Sequence, residues 1–273
     1  MTWTSLRVRA PGQLEAASAA MFAAGAQGVH EDGATLVTHF PPETDVAAVI
    51  RQVHAAVPDA TCETSATEAV DWSVHWRDKL HAQPVGKLVI APTWLADQYD
   101  AATTVVIDPG MAFGTGDHAT TRGAARLMQE LVHPGLVVAD LGAGSAVLSI
   151  VAAKLGASRV FAIEYDADAI SNAEENVQRN GVDAIVHVFE GDATVFLPLI
   201  APVDVIVANI ISSVLVELLP AMHAALRPGG FAVLAGILVE EKEFMLEALQ
   251  SDGWRLVNEI VQDAWWSISI AKA

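Results

Sequence analysis

The chain has 273 residues, 52% of them hydrophobic, which is enough for one large domain or for a medium and a small one. Its formal charge of −18, from 33 acidic and 15 basic side chains, argues against free nucleic acid as a partner and in favour of a basic protein or cationic peptide. The start of the chain lacks the basic-then-apolar order of a signal peptide, no apolar run is long enough to span a bilayer, and Cys62 is the single cysteine. The expected address is therefore cytoplasmic, with no disulfide, no metal and no membrane partner.

Residues 1–64 read as a small α+β unit. Strands are expected at Thr4–Val8, Gln27–Glu31, Thr35–Phe40 and Ala60–Thr64, with helices at Gln13–Ala24 and Thr44–Val57. The order β-α-β-β-α-β is that of a ferredoxin-like domain. Residues 65–80 read as a connector helix in which Trp72 and Trp76, four apart, share a face. The third unit, 81–273, alternates strands and helices. Its strands are expected at Leu88–Ala91, Thr104–Ile107, Leu136–Asp140, Arg159–Glu164, Ile185–Glu190, Val203–Asn209, Phe231–Gly236, Trp254–Val261 and Trp265–Ile270. Its helices are expected at Ala119–Leu131, Ala146–Leu155, Ala167–Asn180, Ser213–Leu226 and Glu240–Gln250. Continuous apolar runs such as Val205-Ile206-Val207-Ala208 suit parallel strands covered on both faces. This pattern predicts a doubly wound α/β sheet with its ligand beyond the carboxyl ends of the strands. The last two strands have no helix between them and should form a hairpin, which puts one antiparallel strand into the sheet.

Two glycine-rich stretches stand about one helix apart: Asp108-Pro109-Gly110-Met111-Ala112-Phe113-Gly114-Thr115-Gly116 and Asp140-Leu141-Gly142-Ala143-Gly144-Ser145. Glycine lets a backbone turn through positive φ and approach a ligand closely, so the pair reads as two walls of one small-molecule site. The second stretch follows a strand and opens a helix, but Val147 stands where a dinucleotide fingerprint has its third glycine. Glu164 closes the next strand, about twenty residues on, where a carboxylate can accept from both ribose hydroxyls. Asp192 follows the third strand, where it can accept from an adenine amino group or cap a helix. Asn209 ends the fourth strand, and its carbonyl can accept from an amine while its NH₂ holds a carboxylate or backbone group. His118 reads either as a base or as a helix-start residue.

Together these residues resemble S-adenosylmethionine-dependent methyltransferases with a Rossmann-like sheet. More closely, the chain resembles the ribosomal protein L-eleven methyltransferase family (PrmA). That likeness is carried by 108–116, by His118 with Thr120-Thr121, by Asp140–Ser145, and by Asn180-Gly181-Val182, Val207-Ala208-Asn209, Pro228-Gly229-Gly230 and Gly236-Ile237-Leu238. Asp71-Trp72, Trp76 and Lys87–Pro92 add to it, so it runs in order through 71–273. Ala146 departs from a glycine common in the family, and Glu164 from its usual aspartate.

The resemblance implies methyl transfer from S-adenosylmethionine to the α-amino group and lysines of a basic ribosomal protein, free before assembly, that docks on the amino-terminal unit. It implies Thr115, Asp140, Gly142, Gly144, Glu164, Asp192 and Asn209 as cofactor-binding residues, and Asn209, Thr115 and Phe113 as catalytic ones. A methyltransferase of the same build acting on another protein or a small amine is the alternative. A nicotinamide dehydrogenase would need the missing glycine. A nucleic-acid amino methyltransferase would follow its strand-end Asn with prolines and a stacking aromatic, where this chain has Ile210-Ile211-Ser212.

Overall fold

The computed structural model describes residues 2–26, 29–33, 35–42, 44–68, 80–108 and 116–273. Chain contacts divide it into two units, Met1–Lys79 and Leu80–Ala273.

The first unit has the order β1 (Thr2–Arg9), α1 (Leu14–Ala23), β2 (His30–Asp32), β3 (Thr35–Phe40), α2 (Val46–Ala56) and β4 (Thr61–Glu68). Its antiparallel sheet runs β2-β3-β1-β4, the ferredoxin-like arrangement expected from the sequence. Leu6, Val8, Leu36 and Phe40, all fully buried, meet Ala17, Met21, Val49 and Val53 of the two helices. Residues 65–68, expected in the connector, complete β4 instead, because Ser65 and Ala66 pair with Ser5 and Thr4 of β1. The rest of the expected connector, with Trp72 and Trp76, lies outside the described residues.

The second unit opens with β5 (Gln83–Val85), β6 (Leu88–Pro92), a 3₁₀ turn at Thr93–Gln98 and β7 (Thr104–Ile107). These strands form a three-stranded sheet of their own rather than the start of the large one. The reason lies at the outer side of β7, where the Asn180 side chain takes the ladder groups: Val106 donates its N–H to Asn180 Oδ1 at 2.8 Å, and Asn180 Nδ2 donates to the Val106 carbonyl at 2.7 Å.

After α3 (Ala119–Leu131) the chain alternates as β8 (Val137–Leu141), α4 (Val147–Lys154), β9 (Arg159–Glu164), α5 (Ala167–Arg179), β10 (Val186–Glu190), α6 (Ala193–Ile200), β11 (Val203–Asn209), α7 (Ser212–Ala225), β12 (Leu226–Leu238), α8 (Lys242–Ser251), β13 (Trp254–Gln262) and β14 (Trp265–Lys272). The seven-stranded sheet has the order β10-β9-β8-β11-β12-β14-β13. Only β14 runs against its neighbours, as the hairpin predicts. Six of the seven β11 residues are buried, because both faces of that central strand are covered. One hydrophobic core lies under α3, α4 and α5, the other under α7 and α8. Helix α6 was not expected: its interior Pro198 disguises an eight-residue helix as a loop.

The order reverses between β8 and β11, so the crevice opens at the carboxyl ends of those two strands. Among the described residues no helix is long and apolar enough to cross a membrane.

Candidate active site

The turn after β8 supplies the first wall. Gly142 and Gly144 have φ of +70° and +53°, conformations that side chains rarely adopt. Ala146 also sits in the left-handed region, at φ +63°, fully buried at the start of α4. An alanine there preserves the bend that glycine gives elsewhere, at a cost of about 1–2 kcal/mol.

Glu164, at the end of β9, fastens this turn. Gly144 N–H donates to one carboxylate oxygen at 2.7 Å and Asp166 N–H to the other at 2.8 Å. The remaining lone pairs face a cavity, which is where ribose hydroxyls would have to be received.

Asp140 lies beneath the turn, 1% exposed, and lines neither cavity of the site. Burial pushes its carboxyl up to about 7; the Ser149 hydroxyl, donating at 2.6 Å, and the Ser149 backbone pull it down, and the Glu164 charge adds to the rise. Asp140 therefore supports the turn from below.

Asp192 caps α6, accepting from Thr194 N–H and Thr194 Oγ, each at 2.7 Å. Those bonds hold its carboxyl below its ordinary value. It also lines a cavity of about 300 Å³ together with Glu164, Tyr165 and Val214, so the capping reading and the lining position coincide.

The opposite wall is built from the ends of β11, β12 and β14. A cavity of about 590 Å³ is lined there by His118, Gly142, Glu164, Asn209, Ile211 and Trp265, among others. It shares Gly142, Glu164, Ile210 and Val214 with the smaller one, which makes an elongated crevice. Asn209 Nδ2 donates to Thr121 Oγ at 3.3 Å, not to the carboxylate or backbone group expected, whereas Asn209 Oδ1 is buried with no hydrogen-bond partner among the described residues. A buried acceptor left unmatched costs about 1–3 kcal/mol.

His118 caps α3: Thr120 N–H donates to Nδ1 at 3.4 Å, and Thr120 Oγ lies 2.8 Å from the same atom. Its ring meets Trp265 edge-on, with centroids 4.9 Å apart. The helix-start reading describes it.

Two residues of this wall were given no site role from the sequence. Trp265 lines the crevice because an antiparallel strand begins where its parallel neighbours end. Gly236, at φ +86°, passes so close to Ile210 that a Cβ would lie 2.4 Å from the Ile210 carbonyl oxygen. Phe113 and Thr115 lie outside the described residues.

A seven-stranded sheet of this order, with a glycine bend after the first strand of the wound unit and an acidic residue ending the second, is the arrangement of the class I methyltransferases. The family model for ribosomal protein L11 methyltransferase (PrmA) matches residues 4–273, and the chain belongs to that family. It is 41% identical to the ribosomal protein L11 methyltransferase of Symbiobacterium thermophilum over 216 residues, 75% of this chain and 67% of that protein. The match to the Heliobacterium modesticaldum protein of the same name, at 38% identity, covers 74% of this chain and 64% of its length. The match to the Synechococcus protein, at 32%, covers 100% of this chain and 98% of the relative. Among solved structures, a ribosomal protein L11 methylase from Lactobacillus delbrueckii subsp. bulgaricus superposes with a TM-score of 0.62 at 30% identity, covering 71% of this chain and 99% of its own.

Proposed function

We propose that this protein transfers methyl groups from S-adenosylmethionine to the α-amino group and lysine side chains of ribosomal protein L11, in the cytoplasm and before the substrate joins the ribosome. One observation carries the chemistry: the buried, unmatched Oδ1 of Asn209 at the end of β11. It can accept an N–H from an amine and nothing from a carbonyl. The family names supply the substrate, and the charge of −18 suits a basic protein.

The crevice fits an elongated donor. Two joined cavities meet at the glycine bend, with carboxylates at Glu164 and Asp192 and apolar surface at Ile210 and Val214. When bound, the donor supplies a sulfonium-bound methyl group whose departure leaves a neutral thioether, so no acid is needed. The protein's work is to present an uncharged amine in line with that methyl group. A free lysine ionises near pKa 10.4, so at neutral pH losing its proton costs about 4–5 kcal/mol. The apolar wall of Ile211, Val214 and Trp265 lowers that cost by disfavouring the ammonium form. Asn209 then accepts one N–H of the neutral amine and turns the nitrogen lone pair toward the methyl carbon. Gly142 and Gly144 let the methionine part lie close to the backbone, and Glu164 receives the ribose. The family resemblance assigns catalytic roles to Phe113 and Thr115 as well, Thr115 holding donor or amine. The amino-terminal unit, residues 1–64 extended by the end of β4, docks the substrate protein.

The test is transfer of a labelled methyl group to purified L11 offered free and within assembled large subunits. The reading expects label on the α-amino group and on lysines of the free protein, and far less on the assembled one. Label on neither, with the donor bound, would move the activity to another substrate.

A further inference from the structure

Helix α5 and its C-cap carry three asparagines four residues apart, Asn172, Asn176 and Asn180, which the 3.6-residue turn places along one face. A polar stripe of this kind usually faces water, yet Asn176 is fully buried.

Every polar atom of its side chain is engaged. Nδ2 donates to the Ser145 carbonyl at 3.1 Å and to Asn172 Oδ1 at 3.4 Å. Oδ1 accepts from Asp108 N–H at 2.9 Å and from Arg179 Nη1 at 2.8 Å. Ser145 belongs to the glycine bend after β8, and Asp108 is the residue from which segment 109–115 departs. The neighbours reinforce only the second contact. Asn172 Nδ2 donates to the Asp108 carbonyl at 3.3 Å, and the Arg179 guanidinium lies 3.5 Å from the Asp108 carboxylate. Asn180 takes both backbone groups of Val106 and also donates Nδ2 to the Asn176 carbonyl, one turn back on its own helix, at 2.8 Å; it makes no bond to the bend.

We infer that Asn176 is a positioning residue that ties the glycine bend after β8, at Ser145, to Asp108 just past the end of β7, so that the donor-binding bend keeps one fixed place against that strand end. This inference rests on the methyl-donor reading of the crevice. Asn176 touches neither donor nor amine; it acts through Ser145 on one side and Asp108 on the other. A carboxamide suits the task because Ser145 and Asp108 present opposite groups, a carbonyl and an N–H, and only an amide carries both a donor and an acceptor at the same branch point.

The test compares Asn176→Asp with Asn180→Ala in the full-length protein. Asn176→Asp keeps an acceptor for Asp108 and Arg179 but loses the donor to Ser145 and sets a carboxylate against that carbonyl. Asn180→Ala removes two hydrogen bonds to the same strand one turn away, without touching the bend. Both variants should melt at a lower temperature. Asn176→Asp should also weaken S-adenosylmethionine binding about tenfold, as expected for a bend displaced by a fraction of an ångström. Asn180→Ala, measured well below its melting temperature, should bind the donor as wild type does. Hydrogen exchange gives a readout independent of activity: amides of 140–148 should exchange faster in Asn176→Asp and not in Asn180→Ala. Donor affinity and exchange at 140–148 that are unchanged in Asn176→Asp, or equally altered in both variants, would overturn the inference. If Asn176→Asp fails to fold, Asn176→Ser, which keeps a hydroxyl able to donate toward Ser145, should recover folding and part of the donor affinity; recovered folding without recovered affinity would equally overturn it. Absence of donor binding by the wild-type protein would instead count against the methyl-donor reading itself.

Discussion

The two sides of the crevice differ in how far they are finished. On the β8–β9 side, the bend is tied at Gly144 by Glu164, at Ser145 by Asn176, and from beneath by the Asp140–Ser149 pair. On the β11–β14 side, Asn209 has only its amino end held, its carbonyl is buried without a partner, and the residues around it are mostly apolar. A pre-formed cradle suits a cofactor used in every turnover. An unmatched acceptor in a dry wall suits a substrate group that arrives, reacts and leaves.

The largest predicted effect breaks the comparison by joining the two sides badly. Gly236→Ala forces a Cβ into the Ile210 backbone at a φ that alanine resists, and should cost at least about 4 kcal/mol in denaturant unfolding. A second substitution sharpens the finished side. The folded-state pKa of Asp140 is raised above its unfolded value, so the native state holds the extra proton and wild-type stability falls as pH rises from about 4 through about 7. Asp140→Asn has no such proton to lose. Its advantage over wild type should grow across that window to about 2–4 kcal/mol above pH 7, read from urea titrations at a series of pH values. Two parallel pH profiles would mean that Asp140 is not titrating there. The smallest effect concerns the donor. Glu164→Ala frees the Gly144 N–H and removes the acceptor proposed for ribose, and should weaken donor binding about tenfold, roughly 1.4 kcal/mol, in calorimetry.

Much of this division could be read in the sequence. The apolar runs give β8, β9, β10 and β11 to within a residue or two, and positions at their carboxyl ends announce Glu164, Asp192 and Asn209. The glycine bend was legible because a positive φ leaves few residue choices. What escaped depends on tertiary context. Asn176 looks like one more polar residue on an amphipathic helix until β7 is laid against it. Trp265 enters the site only because its strand runs backwards. The role of Gly236 is set by the backbone of Ile210, just past the preceding strand. The sheet of β5, β6 and β7 escaped because strand-length runs do not say which sheet they join, and α6 because Pro198 reads as a break.

The unfinished acceptor side is tested most directly by Asn209→Ala, with melting temperature, donor binding and single-turnover methyl transfer measured on one preparation. Removing a buried carbonyl that nothing matches should leave the melting temperature equal or higher and donor affinity within a few-fold, while transfer to L11 falls by about 100-fold or more. Transfer at the wild-type rate would contradict the assignment of that carbonyl to the incoming amine.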